Sequence, residues 1–335
     1  MVSNILEIKR LTVEYKVPEG IIKALDKIDL YVKKGEILAI VGESGSGKTT
    51  LAHSIARLLP KNARIVEGSI IFHTRKGPVD LTKISEEEMR KIRGSMIGMV
   101  FQDPMTYLNP VMKISDQIIE GLISHRKISR KDAEAKTLDL LKKLRIPNPE
   151  YVAKSYPHQL SGGMKQRVII AMAMINQPDL LIADEPTSAL DVTVQAEILE
   201  LFKELRKEYG VTIIIITHDL GVAVRIADRI VIMYAGKIME IGDVGEVFKQ
   251  PLHPYTQGLL GSILSISENV RKGFILKGAP PDIFNPTRGC KFHPRCPFVM
   301  RDICINEDPP LFHVGNERYV ACWLYRGVSS WPMSY

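Results

Sequence analysis

Hydrophobic and polar positions change their period along this chain, and each change marks an element. Leu6, Ile8 and Leu11 alternate with polar residues, and Val13 and Tyr15 continue the pattern, predicting a half-buried antiparallel strand. A second such run, Ile28-Asp29-Leu30-Tyr31-Val32, ends at Lys33-Lys34-Gly35. Ile37-Leu38-Ala39-Ile40-Val41 is unbroken and β-branched, the texture of a parallel strand buried on both faces. Past a glycine-rich turn, Leu51, Ile55, Leu58 and Leu59 fall at helical spacing until Pro60 stops the run. Ile70-Ile71-Phe72 and Val79-Asp80-Leu81 read as short strands, and Ser85-Glu86-Glu87-Glu88 as a capping box. Helix is then expected through most of residues 86–175, notably over 115–124, 129–144 and the stretch carrying Val168, Ile169, Met172 and Ile175. An apolar strand-like run at 96–101 interrupts it, and two prolines exclude a single helix over 103–110. Pro147 and Pro149 close the 129–144 segment. Leu180-Leu181-Ile182-Ala183 and the run 211–216 predict two more buried strands, separated by a helix with Ile198, Leu201, Phe202 and Leu205 on one face. Residues 230–234 and 237–241, joined by Ala235-Gly236, predict a closing hairpin. From Pro251 the texture turns to Pro, Gly and short apolar runs with no long helix, placing a boundary near residue 250.

The chemistry sits where these elements change. Gly42-Glu43-Ser44-Gly45-Ser46-Gly47-Lys48-Thr49 lies between a strand and a helix. Its glycines let successive N–H groups converge on phosphate oxygens at a helix N-terminus. Lys48 is placed to reach the β- and γ-phosphates, and the Thr49 hydroxyl to ligate Mg²⁺. Leu160-Ser161-Gly162-Gly163 opens a second helix whose first turn offers Ser161 and free N–H groups, which on its own is also an ordinary cap. Asp184-Glu185 ends a buried strand, where carboxylates face the crevice in which open α/β sheets bind ligands. Asp184 is placed to hold Mg²⁺ through water and Glu185 to orient or deprotonate the attacking water. His218 leaves the end of a neighbouring strand, suited to a γ-phosphate contact. Tyr15 offers a ring to stack on adenine, with a core or edge aromatic as its plainer role.

Composition narrows the class. At 335 residues the chain exceeds one compact core, and 45% hydrophobic with 25% charged residues is the make-up of a soluble globular protein. The longest apolar stretch is far too short for a bilayer, and no basic-then-apolar segment opens the chain, which predicts a cytosolic location. A net charge of +7 permits an anionic partner. The cations are spread and mixed with acids, however, which argues for a solvated surface over nucleic acid. The glycine-rich motif of residues 42–49 does not recur, so the unit built on it is not repeated.

Taken together these stretches resemble the ATP-binding subunits of ABC transporters, over residues 5 to about 250. The resemblance implies an α/β P-loop NTPase core with a parallel sheet and an antiparallel β subdomain (1–86 and 171–250). It implies also an inserted helical signature subdomain (87–170) and an irregular C-terminal extension (251–335). It assigns ATP to Tyr15, residues 42–49 (Gly42, Glu43, Ser44, Gly45, Ser46, Gly47, Lys48 and Thr49), Thr50, Gln102, Ser161, Gly162, Gly163, Asp184 and Asp191. Mg²⁺ falls to Thr49, Gln102 and Asp184, and catalysis to Glu185, His218, Lys48 and Gln102. The stretch 188–191 matches the D-loop. Phe101-Gln102-Asp103-Pro104-Met105-Thr106-Tyr107-Leu108-Asn109-Pro110, Met164 after the signature, His253-Pro254-Tyr255-Thr256 and Gly289-Cys290-Lys291-Phe292-His293-Pro294-Arg295-Cys296 are similar to the oligopeptide/dipeptide importer branch.

That branch implies a subunit on the cytoplasmic face of the membrane, without a membrane span. Its partners would be a second ATPase chain, identical or paralogous, two permease subunits and an extracytoplasmic binding protein. The same branch handles nickel and oligosaccharides, and a soluble non-transport ATPase is the alternative class. All four cysteines lie beyond residue 289, spaced Cys290-x5-Cys296-x7-Cys304-x17-Cys322. A cytosolic ATP-user argues against disulfides. The close pairs of structural zinc and the compact ferredoxin run are both missing. Spacing alone says only that four soft ligands could meet once the extension folds. In some members of the branch they hold a [4Fe–4S] cluster, which the resemblance implies here, with zinc or unligated thiols as alternatives.

Overall fold

A computed structural model describes residues 3–188, 190–264, 276–279, 281, 282, 284 and 286–327. Ala189 of the stretch 188–191 and the last eight residues of the extension lie outside them.

In chain order, β1 (Asn4–Val17) and β2 (Gly20–Lys33) precede β3 (Ile37–Val41), all five of whose residues are buried, as its continuous apolar run requires. Helix α1 (Lys48–Ile55) follows, then β4 (Ala63–Thr74), β5 (Gly77–Asp80), α2 (Glu86–Ile92) and β6 (Ile97–Val100). A single turn α3 (Pro104–Tyr107) leads to α4 (Ile114–Ile123), α5 (Arg130–Lys143), α6 (Pro149–Lys154) and α7 (Gly162–Met174). Strand β7 (Leu180–Asp184), α8 (Val192–Tyr209), β8 (Thr212–Thr217) and α9 (Leu220–Ile226) come next. They are followed by β9 (Arg229–Tyr234), β10 (Lys237–Asp243), α10 (Val244–Lys249), α11 (Pro254–Leu264), α12 (Arg301–Cys304), β11 (Phe312–Gly315) and β12 (Arg318–Val320). No helix among the described residues is long and apolar enough to cross a membrane.

The chain divides into two units. The first holds Lys83–Thr217 with two short N-terminal pieces. Its strands run parallel in the order β8-β7-β6, with Ala183 opposite both Val100 and Ile215. Helices α4, α5, α6 and α7 pack on one another beside them. Arg167, 7% exposed, fixes α7 by donating to Leu144 O at 2.8 Å and to Glu197 on α8 at 2.7 Å. The capping box forms as the sequence predicts: Ser85 Oγ accepts from Glu88 N, and Glu88 Oε2 accepts from Ser85 N at 2.9 Å. Ser85→Ala removes one half of this exchange on an exposed helix start. It should lower stability by about 1 kcal/mol in urea unfolding, with an unchanged slope.

The second unit holds Leu6–Val32, Leu38–Thr82 and His218–Tyr335. One sheet is antiparallel in the order β2-β1-β4-β5. The apolar phase of β1 slips from even positions (Leu6, Ile8) to odd ones (Leu11, Val13) because a bulge between Lys9 and Thr12 inserts Arg10, at φ 48°. Opposite it, Gly68 at φ 95° leaves room for Lys9 O, 2.5 Å from where a Cβ would stand. The other strands order as β11-β12-β10-β9-β3, with β3 and β9 parallel and the rest antiparallel.

Two expectations need correction. Helix α1 ends at Ile55, since Arg57 turns to φ 52°, so Leu58 and Leu59 are half-buried in the following turn. Pro149 opens α6 instead of only closing the helix before it, because its fixed φ suits a first helical position. Beyond residue 250 the chain forms the 11-residue helix α11 and adds β12 to β10 (Glu240 opposite Val320). The buried Glu240 carboxylate anchors that addition, accepting from Arg318 Nη2, Leu252 N and His253 N at 2.9–3.2 Å.

Candidate functional site

The second unit carries the glycine-rich loop. Gly42 follows β3 where a Cβ would stand 2.2 Å from Met233 O, so no side chain fits. Gly45 and Gly47 take φ 77° and 99°, a region L side chains avoid, and a Cβ at Gly47 would meet Ala24 O at 2.7 Å. Ser46 N donates to Glu43 O at 3.2 Å, and Gly236 N, in the turn between β9 and β10, donates to Ser46 O at 3.0 Å. Helix α1 starts at Lys48 behind Gly47, which offers no side-chain cap, so the positive end of its dipole faces the loop. Lys48 is 5% exposed, and its Nζ donates to Gly42 O at 2.8 Å and Glu43 O at 3.0 Å, which curls the loop around the ammonium. Tyr15 lies on β1 with its Oη sharing a 3.3 Å hydrogen bond with Thr50 Oγ1, bringing the ring to the α1 side of the loop. His218 is exposed, and Asp219 next to it caps α9 by accepting from Gly221 N at 2.7 Å.

The first unit carries the carboxylates and the Ser-Gly-Gly turn. Asp184 ends β7 and is 2% exposed. Glu185 is held at φ 44° by its N donating to Ile216 O at 2.9 Å and by Ser188 Oγ donating to its O at 3.1 Å. A non-glycine residue in that region costs about 1–2 kcal/mol, strain typical of residues whose side chain must be aimed. Gln102, after β6, donates from Nε2 to Glu185 Oε2 at 3.1 Å. Asp191 is spent on capping α8, its Oδ1 accepting from Thr193 N and Val194 N. Ser161 is exposed at the start of α7, its Oγ accepting from Met164 N at 3.3 Å, and a Cβ on Gly163 would press to 2.7 Å from Val194. Near α3, Met105, Tyr107 and Val111 are 60%, 44% and 79% exposed, an apolar surface unlike its surroundings. Hydrogen bonds from Thr106 and Met105 N hold the Asp103 carboxyl below its ordinary range.

The sequence left the extension's role open. In the structure Cys290, Cys296, Cys304 and Cys322 line one small pocket of the second unit, with His253, Phe292 and Trp323. Gly289, at φ 62°, makes the turn possible: a Cβ there would lie 2.4 Å from Cys304 O, to which Cys290 N donates at 2.9 Å. Burial pushes the Cys290 thiol up to about 11, Cys322 up to about 12 and Cys296 upward. As bare groups these are inert thiols. Two contacts that sequence reasoning missed join this module to the loop: Glu43 N donates to Tyr255 Oη at 3.1 Å, and Arg295 pairs with the Glu43 carboxylate at 2.9 Å. Both residues stood in short motifs, but nothing in a motif says which distant residue it will touch.

The family model described as ABC transporter matches residues 25–188, and that for the C-terminal region of oligopeptide/dipeptide transporters matches residues 239–304. The dipeptide transport ATP-binding protein DppD of Bacillus subtilis (strain 168) is 47% identical over 323 residues, 96% of this chain and 95% of that protein. The oligopeptide transport ATP-binding protein OppD of the same organism is 46% identical over 325 residues, 96% and 89% of the two chains. A dimeric post-hydrolysis structure of the ATP-binding cassette MJ0796 with ADP and Pi superposes with a TM-score of 0.63 at 33% identity, covering 71% of this chain and 98% of the other. The structure of cbiO1 from Clostridium perfringens, part of the cbiONQ ABC transporter complex, gives 0.62 at 30% identity, covering 79% and 96%.

Proposed function

Since the chain belongs to the ABC transporter ATPase family, in its oligopeptide/dipeptide importer branch, we propose that it hydrolyses ATP to drive import of di- or oligopeptides through a pair of membrane permeases. The observation that carries this is the loop of residues 42–49, shaped by three obligatory glycines around a buried lysine, in a chain matched almost end to end by peptide-transport ATP-binding proteins.

In this reading Lys48 and the α1 N-terminus neutralise the triphosphate and Tyr15 stacks on adenine. Thr49, Asp184 and Gln102 would hold Mg²⁺, which would supply neutralisation of the triphosphate's charge. Glu185 takes the proton of the attacking water and His218 contacts the γ-phosphate. The Ser161–Gly163 turn serves the triphosphate of a second ATPase chain, and the exposed Met105, Tyr107 and Val111 dock on a permease. The subunit then sits on the cytoplasmic face of the membrane, with an extracytoplasmic binding protein delivering cargo. The test is ATP hydrolysis by the assembled transporter in proteoliposomes. Stimulation by binding protein loaded with di- or oligopeptide is expected, and a response only to nickel or an oligosaccharide would overturn the peptide assignment.

The four cysteines complete the proposal. Their thiols line one buried pocket, as soft ligands of a shared group must. Zn–S bonds of about 2.3 Å would bring four sulfurs within about 4 Å of one another. Among the described residues no group of three or more His, Cys, Asp or Glu side chains is set to hold a metal ion. We take the group they would share to be a [4Fe–4S] unit, which would supply a structural crosslink, with zinc or unligated thiols as the alternatives. Because burial keeps the free thiols protonated, loading must release protons and weaken as pH falls. Anaerobically purified protein should be brown and contain about four iron and four sulfide per chain. Colourless protein carrying zinc or no metal would refute the cluster.

A further inference from the structure

The glycine-rich loop and the four-cysteine module are joined through one side chain, within a single unit of the fold. Arg295 ends a 3₁₀ turn, His293–Arg295, that Cys296 follows immediately. The turn is built from the module itself: His293 N donates to Cys290 O at 3.0 Å, Arg295 N to Phe292 O at 3.0 Å, and Cys296 N to His293 O at 3.2 Å. From it the guanidinium forks onto the loop, Nη1 donating to Glu43 Oε2 at 2.9 Å and Nη2 to Glu43 Oε1 at 3.2 Å. Nη1 also donates to Tyr234 Oη at 3.2 Å, and the Arg295 side chain is only 7% exposed. Such a two-pronged contact fixes angle as well as distance, which a single point charge would not.

Glu43 is held at both ends. Its N–H donates to Tyr255 Oη and its carbonyl accepts from Lys48 Nζ, while the rings of Tyr234, Tyr255 and Phe292 lie 4.6–5.5 Å apart beneath it. Phe292, fully buried, sits between Cys290 and Cys296 in the sequence. The position of the second residue of the loop is therefore dictated by residues of the extension. We propose that Arg295 is a positioning residue for nucleotide binding, setting the loop through Glu43, so that ATP affinity depends on the integrity of the four-cysteine module. This rests on the reading of residues 42–49 as a triphosphate site.

The experiment is a titration of the full chain with a fluorescent ATP analogue, for the native protein, Arg295→Lys, Arg295→Ala, Glu43→Gln and the double variant Glu43→Gln/Arg295→Ala. Arg295→Ala and Glu43→Gln should each weaken binding roughly tenfold, the range of a coupled pair, with the double variant no weaker than either. Arg295→Lys keeps the charge but not the fork and should fall between. In steady-state hydrolysis KM should rise while kcat holds, a split that general damage to the fold would not give. Cys296→Ser should weaken binding in the native background and do nothing further in Glu43→Gln. Native affinity in Arg295→Lys and Glu43→Gln, fully additive losses, or a Cys296→Ser effect that persists undiminished in Glu43→Gln would each overturn the proposal. Failure of the native chain itself to bind the analogue would instead remove the triphosphate reading on which it rests.

Discussion

Glu185→Gln should lower ATP turnover by roughly 10²- to 10³-fold while ATP affinity stays within about twofold, the outcome expected if Glu185 is the general base and the substitution removes its proton acceptor but not its shape. The substitution is isosteric, and the backbone that aims the side chain is untouched, since Ile216 O and Ser188 Oγ hold the residue through main-chain atoms. The hydrogen bond from Gln102 survives too, because the amide oxygen of a glutamine accepts as the carboxylate did. Only the ability to take a proton from water is gone. ATP should then accumulate uncleaved, and light scattering should show dimers building up with ATP that the native chain dissolves by hydrolysis. Turnover at the native rate would remove Glu185 from the chemistry.

Ser161→Asp should block hydrolysis by at least about 10²-fold, the scale of losing a well-placed group around a developing charge. ATP affinity of the isolated chain should stay as it was. Aspartate replaces serine as an N-cap at no cost, so α7 keeps the acceptor that now takes Met164 N. What changes is that a negative charge is added at an exposed helix start, where an incoming γ-phosphate from a second chain would be repelled. Mixing the variant with Glu185→Gln protein provides the check. A pair in which one site combines an intact Ser161 with an intact Glu185 should regain part of the lost activity. Undiminished hydrolysis by Ser161→Asp alone would show that this turn does not face a phosphate.

The strands were legible because burial on both faces leaves no choice of residue: Ile37-Leu38-Ala39-Ile40-Val41 and Leu180-Leu181-Ile182-Ala183 can be little else. The loop of residues 42–49 was legible for a related reason, since Gly42 and Gly47 answer to close backbone contacts that tolerate no Cβ and Gly45 to a left-handed φ. The end of α1 was missed because Arg57 adopts a left-handed conformation that no local pattern encodes. Likewise the slip in β1 is visible as a change of phase between Ile8 and Leu11, but only its partner Gly68 explains it. The extension was the least legible. Its α11 and β12 are short and lean on a buried Glu240 some 80 residues from Arg318, a pairing that local texture does not announce. Four cysteines at irregular spacing could be recognised as a set, yet their convergence on one pocket is a property of the fold.

The hairpin tip at Ala235-Gly236 would ordinarily be the place to splice in an epitope tag or a fluorescent reporter, since exposed two-residue turns accept inserted sequence cheaply. Here that tip holds Ser46 O, and the strand leading to it presents Met233 O against Gly42. Lengthening it would withdraw the support that the glycine-rich loop takes from Gly236 N and Met233 O. Engineers of this subunit should place their cargo elsewhere, and natural variation in length should be scarce at this turn.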